Sequence, residues 1–277
     1  MAGFGNQLKT LIFLALLTGL LLMLGSFFGK SGLLIALVFV LIMNFGSYWF
    51  SDKIVLMMYS AKPMTGHHEI ESMVKDVTHK AGLPMPKLYL IESSNPNAFA
   101  TGRDENHAAV AFTTGILSLL TKDELKGVVA HEISHIKNKD ILITTIAATI
   151  AGVISHLSHF AFFMGGNDDE RGNNIVSLLL IVILAPIIAM ILQMAISRSR
   201  EYMADETGAK TIQDSEGLAK ALAKLEKGVK AHPMQKGDPS TASLFILNPF
   251  SAGGLVSLFS THPPIEERIA RLRRMKV

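Results

Sequence analysis

Residues 121–140 read Thr-Lys-Asp-Glu-Leu-Lys-Gly-Val-Val-Ala-His-Glu-Ile-Ser-His-Ile-Lys-Asn-Lys-Asp. Thr121 and Glu124 have the spacing of a capping box, in which each side chain satisfies the other's backbone N–H at a helix start. The pattern predicts a helix from there to about Lys137, through Val128, Val129 and His131. Inside it lies His131-Glu132-Ile133-Ser134-His135, an H-E-x-x-H sequence. Residues i and i+4 share one face of a 3.6-residue helix, so the two imidazoles can present nitrogens to one zinc ion. Glu132 is rotated from His131 by about 100°. It sits beside the metal position, where a carboxylate can take a proton from water and pass it to a leaving amine.

A catalytic zinc needs a third protein ligand and one open position. The strongest candidate is Glu201, 66 residues after His135, within Ser197-Arg198-Ser199-Arg200-Glu201-Tyr202-Met203-Ala204-Asp205. Asp205, four residues on, shares its helix face and is placed to orient a zinc-bound histidine. Asp140 is a rival for that supporting role. On spacing alone, the stretch also reads as a solvated charged helix end.

The surroundings of these segments are apolar. Of the 277 residues, 49% are hydrophobic and 18% charged, against about 25% charged in an ordinary soluble domain. The deficit is concentrated in four uncharged windows, residues 10–29, 31–51, 141–167 and 172–197. Each meets the roughly 20 residues that a helix needs to cross a bilayer. Lys30 alone separates the first two, and Asp168-Asp169-Glu170-Arg171 separates the last two, so two hairpins are expected. Pro186 is tolerable in a membrane helix and would kink it. A fifth uncharged window, residues 239–265, holds Pro239, Pro249, Pro263, Pro264 and Gly253-Gly254. That is the chemistry of a loop.

Four spans leave both termini on one side. Lys9, Lys53, Lys137, Lys139, Arg198 and Arg200 flank that side, and the positive-inside rule makes it the cytoplasm. The absence of cysteine excludes a disulfide-stapled module. A balance of 26 basic against 23 acidic residues gives no argument for nucleic acid. High hydrophobicity excludes disorder.

The expected architecture is mainly α: four transmembrane helices carrying a zincin-like cytoplasmic domain with a small β-sheet. Residues 10–51 form the first membrane hairpin and 141–197 the second. Residues 52–140 and 198–277 are two parts of one catalytic domain. Within them, helices are expected at residues 67–81, 201–209, 215–230 and 264–276, and strands at 87–91 and 108–112. Asn95-Pro96-Asn97 reads as a turn, and the arginine-rich last helix as a solvated face or a contact for anionic headgroups.

Four stretches, in this order, resemble one family: Asn97-Ala98-Phe99-Ala100-Thr101-Gly102, His131-Glu132-Ile133-Ser134-His135, Arg198-Ser199-Arg200-Glu201-Tyr202-Met203-Ala204-Asp205 and Thr261-His262-Pro263-Pro264. The chain is similar to the HtpX family of membrane zinc metalloproteases, and through it to the CAAX prenyl proteases. The resemblance implies one zinc per chain held by His131, His135 and Glu201, with Glu132 as general base. It implies His262 near the developing oxyanion, with Arg268 beside it. It also places Asn97, Ala98, Phe99 and Ala100 along the substrate, as edge strands do. It further implies a multi-pass protein of the cell inner membrane that cleaves misfolded or damaged membrane proteins on the cytoplasmic side. The partners are then protein substrates and the lipid bilayer, with no nucleic acid.

Competing readings are a processing protease for one substrate, a non-catalytic zinc-binding scaffold, and a transporter supported only by His156 and His159. The intact Glu132 speaks against the scaffold, because a pure metal binder has no need of it.

Overall fold

A computed structural model describes residues 29–150, 198–234, 239–250 and 263–277, with isolated positions between 15 and 26. The chain begins with α1 (Gly29–Met58), β1 (Lys62–Pro63), α2 (His68–Ala81), β2 (Lys87–Ile91) and β3 (Ala98–Gly102). It continues through β4 (Ala108–Thr113), α3 (Thr114–Leu119), α4 (Lys122–Lys137) and α5, described over Ile141–Ile150. From residue 198 come α6 (Arg198–Ile212), α7 (Glu216–Ala231), a 3-10 turn (Pro239–Leu244) and α8 (Ile265–Arg274).

Helix α4 starts where its capping box demands. Thr121 accepts from the Glu124 N–H, and the Glu124 carboxylate accepts from the Thr121 N–H at 2.8 Å. Glu124 also takes Lys224 of α7 at 2.7 Å, tying the start of α4 to a distant helix. Most of α4 is buried, because α2, α6 and α7 pack around it and β3 lies across it.

Two glycines allow this crowding. A Cβ on Gly127 would stand 2.5 Å from the Leu218 nitrogen of α7. One on Gly208 of α6 would stand 3.0 Å from the Ala130 carbonyl of α4. The α6 backbone therefore rests directly on α4, with no side chain between them at that point.

The sheet has strand order β1-β2-β4-β3. β2 and β4 are parallel, while β1 and β3 run antiparallel to their neighbours. β3 pairs with β4 through Ala98↔Phe112 and Ala100↔Val110, leaving its outer side as an edge of the sheet. All five β3 residues are buried. Ala98, Ala100, Val110 and Phe112 face the helical core with Val128, Val129 and Leu222. Phe99, Ala109 and Ala111 face a second core with Val55, Leu56 and Tyr59 from the end of α1. Each large apolar side chain buried in this way contributes about 1.5–3 kcal/mol.

Helix α1 has two parts. Its first half exposes most of its apolar side chains, Leu34 at 63%, Ile35 at 69% and Ile42 at 65%, while one face through Val40 is covered. Apolar side chains left uncovered by protein along such a length are matched to lipid. Among the described residues, this is the one helix long and apolar enough to cross a membrane. The uncharged window at residues 31–51 lies within one longer helix. The helix continues to Met58, and Val55, Leu56 and Tyr59 enter the domain core, so residues 52–58 are packed helix. Lys30 stands in the first turn of α1. The spans expected at 10–29 and 172–197, and most of 141–167 with His156 and His159, lie outside the described residues.

Candidate metal centre

Three helices and one turn supply the polar cluster. α4 brings His131, Glu132 and His135, α6 brings Arg200, Glu201 and Asp205, and α8 brings Arg268. After α4 the backbone reverses at Lys139, in a left-handed conformation with φ 59°. The Asp140 N–H returns to the His135 carbonyl at 2.9 Å, which folds the Asp140 carboxylate under its own helix end.

The Nε2 atoms of His131 and His135 stand 3.1 Å apart. Glu201 Oε2 is 3.7 Å from His131 Nε2, and Glu201 Oε1 is 3.6 Å from His135 Nε2. Ligand atoms around a tetrahedral zinc with bonds near 2.05 Å are about 3.4 Å from each other. With one ligand atom from each residue, the three lie within 4.8 Å of one another, so small side-chain shifts bring them onto zinc.

The far ring nitrogens reinforce the fit. His131 Nδ1 is 2.9 Å from Asp205 Oδ1, and His135 Nδ1 is 3.4 Å from Asp140 Oδ2. A carboxylate on Nδ1 keeps the proton there and turns the Nε2 lone pair outward. Each carboxylate has its own arginine. Arg268 grips Asp205 through Nε at 2.9 Å and Nη2 at 2.7 Å, and Arg200 Nε lies 3.8 Å from Asp140 Oδ1. Two parallel Arg–Asp–His chains thus converge on one point.

Burial tunes the ionisation of the cluster. It raises the Glu132 carboxyl above its ordinary value. Glu201 adds to the rise, while the two imidazoles and the Ala100 N–H oppose it. Burial opposes charge on His135, but the Asp140 hydrogen bond and the charges of Glu201 and Glu132 win and raise it to about 9. Asp205 is disfavoured by burial too, yet Arg268 and His131 hold it well below the usual carboxylate range.

The open space at the cluster is a cavity of about 20 Å³ lined by His131, Glu132, His135 and Glu201, enough for about one water molecule. Its far wall is Ser243, Leu244, Phe245 and Ile246. This segment lies on the outer edge of β3. The Ile246 N–H donates to the Ala98 carbonyl at 3.2 Å. The Asn97 amide donates to the Leu247 carbonyl at 2.7 Å and accepts from its N–H at 3.4 Å. Arg268 reaches the Ile246 carbonyl at 3.3 Å.

The structure thus brings His131, Glu132, His135, Asp140, Glu201, Asp205, Asn97 to Ala100 and Arg268 together. His262 lies outside the described residues. Arg268 is 0% exposed, with Nη1 3.3 Å from Glu201 Oε2 and Nη2 3.4 Å from His131 Nε2, so it backs two of the candidate ligands. Arg200 and the 243–246 wall carried no local signal of a role. Arg200 looks like a helix-end charge, and the wall lies in an uncharged proline-rich stretch.

Two histidines a turn apart, a carboxylate between them in sequence and a glutamate from a second helix define a metallopeptidase of the H-E-x-x-H kind. Comparison with known proteins agrees. The description "Peptidase family M48" matches residues 65–276. The chain is 51% identical to "Protease HtpX homolog" from Syntrophobacter fumaroxidans, over 98% of this chain and 100% of that protein. It is 50% identical to the Ralstonia pickettii homologue, over 98% and 96%, and 47% to that of Thermococcus sibiricus, over 99% and 97%. The crystal structure of S. mikatae Ste24p superposes with a TM-score of 0.52 at 20% identity, covering 98% of this chain and 66% of that one. The chain belongs to peptidase family M48, among the HtpX proteases. It is a zinc metalloendopeptidase, and its substrates are proteins.

Proposed function

We propose that His131, His135 and Glu201 hold the zinc and that Glu132 is the general base. The observation that carries this is the convergence of three ligand atoms, all within 4.8 Å of one another, with the buried Glu132 carboxylate beside them. Zinc, when bound, supplies a Lewis acid that polarises the scissile carbonyl and acidifies water. Glu132 takes the proton from the attacking water and returns it to the leaving amine; its raised proton affinity suits it to both steps. Asp205 and Asp140 hold the two imidazoles in the ligating tautomer, and Arg268 and Arg200 hold the carboxylates. Arg268 is therefore a positioning residue. His262 is the candidate for steadying the developing oxyanion, and Asn97, Ala98, Phe99 and Ala100 are candidates for the substrate backbone.

The protein works, in this reading, as a four-span enzyme with its site and both termini in the cytoplasm, cutting misfolded or damaged membrane proteins. Four uncharged windows with basic flanks support the topology. The exposed apolar half of α1 supports work at the bilayer.

The test is cleavage of an unfolded protein by detergent-purified, zinc-loaded enzyme beside Glu132→Gln. The variant keeps its zinc and loses about 10²–10⁴ in kcat. Equal cutting by both proteins refutes Glu132 as base. Bound zinc with no cutting by either points to the scaffold.

A further inference from the structure

The peptidase reading requires an extended peptide to run along β3, past Glu132 and the ligand cluster. That path is taken. Ile246 sits on the Ala98 carbonyl, and Asn97 is clamped to both backbone groups of Leu247. The space left at the ligands holds about one water molecule, and the outer edge of β3 beside it is already bonded to Ile246. Substrate and residues 245–247 therefore exclude each other.

How the segment is held shows what it imitates. Residues 243 and 244 end the 3-10 turn and 245–247 bend across the outer edge of β3, so the contact with the strand is made by Phe245, Ile246 and Leu247. Ile246 falls into the helical core beside Ala98. Phe245 falls on the other face, where its ring meets Tyr59 and Phe99 edge-on, at 5.0 Å between centroids in each case. Phe245 is 1% exposed there. The Tyr59 hydroxyl is hydrogen-bonded to Thr241, which pins the segment just upstream. A peptide paired to the same edge would send an alternate side chain into the same slot.

We propose that residues 245–247 are an internal pseudosubstrate, and that the slot between Tyr59 and Phe99 is a subsite for a large apolar or aromatic side chain of the protein substrate. This rests on the peptidase reading of the same cleft. The resting enzyme is closed by its own chain, and a substrate opens it by supplying both an extended backbone for Ala98 and a ring for the slot. Folded proteins offer neither.

The test uses the full-length zinc-loaded enzyme and quenched fluorescent peptides in which one Phe is moved through an otherwise Ser-Ala background. Thr241→Val removes the pin without changing side-chain shape, and Phe245→Ala empties the slot. Loss of a competing closed state lowers KM for a peptide with Phe at the matching position by about tenfold in each variant, with kcat little changed. The Phe-free peptide gains less. The rate at which a chelator strips zinc rises in both variants. KM values that stay the same, or shift equally for all peptides, in variants that melt near the wild type overturn the proposal. If no peptide is cut although zinc is bound, the peptidase reading has failed. Zinc stripping then decides the pseudosubstrate by itself, and an unchanged rate in both variants overturns it.

Discussion

Asp205 serves two partners at once. One oxygen faces His131 Nδ1 at 2.9 Å, and both oxygens engage Arg268, which is fully buried. Asp205→Asn keeps the shape, weakens the hold on the imidazole, and leaves a buried guanidinium without its counter-charge. Zinc affinity falls about 10–100-fold, and stability drops by about 3–5 kcal/mol. A zinc competition titration and a denaturant melt read the two effects separately. His135 gives a pH prediction. Its folded value is raised from 6.5 to about 9 in the metal-free chain. Protonated His135 thus stabilises that chain fully below pH 6.5, and the contribution is lost as pH rises through 9. Zinc uptake runs the other way, because the metal must displace the proton. At pH 7.5, binding releases about one proton from His135, measurable by calorimetry in two buffers of different ionisation enthalpy.

At the scale of elements, the bare contact of α6 on α4 sets where Glu201 stands. Gly208→Ala inserts a methyl 3.0 Å from the Ala130 carbonyl and pushes the helices apart. A cost of about 1–3 kcal/mol is expected, with zinc affinity falling alongside it because Glu201 moves with α6. Thermal melting with and without zinc checks both. Elements with strong local signals were legible in the sequence: α4 from its capping box and H-E-x-x-H, α7 from its apolar stripe, β2 and β4 from their apolar runs. β3 was legible as an edge strand only through the family resemblance, because Ala-Phe-Ala-Thr-Gly is buried on both faces and shows no alternation of its own. Asp140 was legible as a candidate by proximity, yet its turn under His135 depends on the left-handed Lys139, where nothing but tertiary context selects that conformation. The 239–247 segment reads as loop, and it forms a 3-10 turn and a strap; what it covers is long-range packing that local sequence does not encode.

The whole molecule joins a lipid-facing rod to a buried site. Trp49, the sole tryptophan, lies on α1 with the Arg103 guanidinium 4.5 Å from its ring centre. Aromatic rings backed by a cation mark the headgroup level. In vesicles, lipids brominated near the headgroup are expected to quench Trp49 more strongly than lipids brominated near the chain ends. Equal quenching would place the bilayer elsewhere on α1. Arg103 directly follows Gly102, so the edge strand β3 ends at the level of Trp49. The chain carries a net charge of +3, but its centre has the opposite sign. Glu132, Asp140, Glu201 and Asp205 are all buried there, and Arg200 and Arg268 are the guanidiniums set against them. With the carboxylates ionised and His135 neutral, as it must be to ligate a metal, they leave an excess of two negative charges in a medium that tolerates none. A dication restores neutrality and a monovalent ion does not. The fold is therefore complete as an electrostatic object only when the metal is counted as part of it.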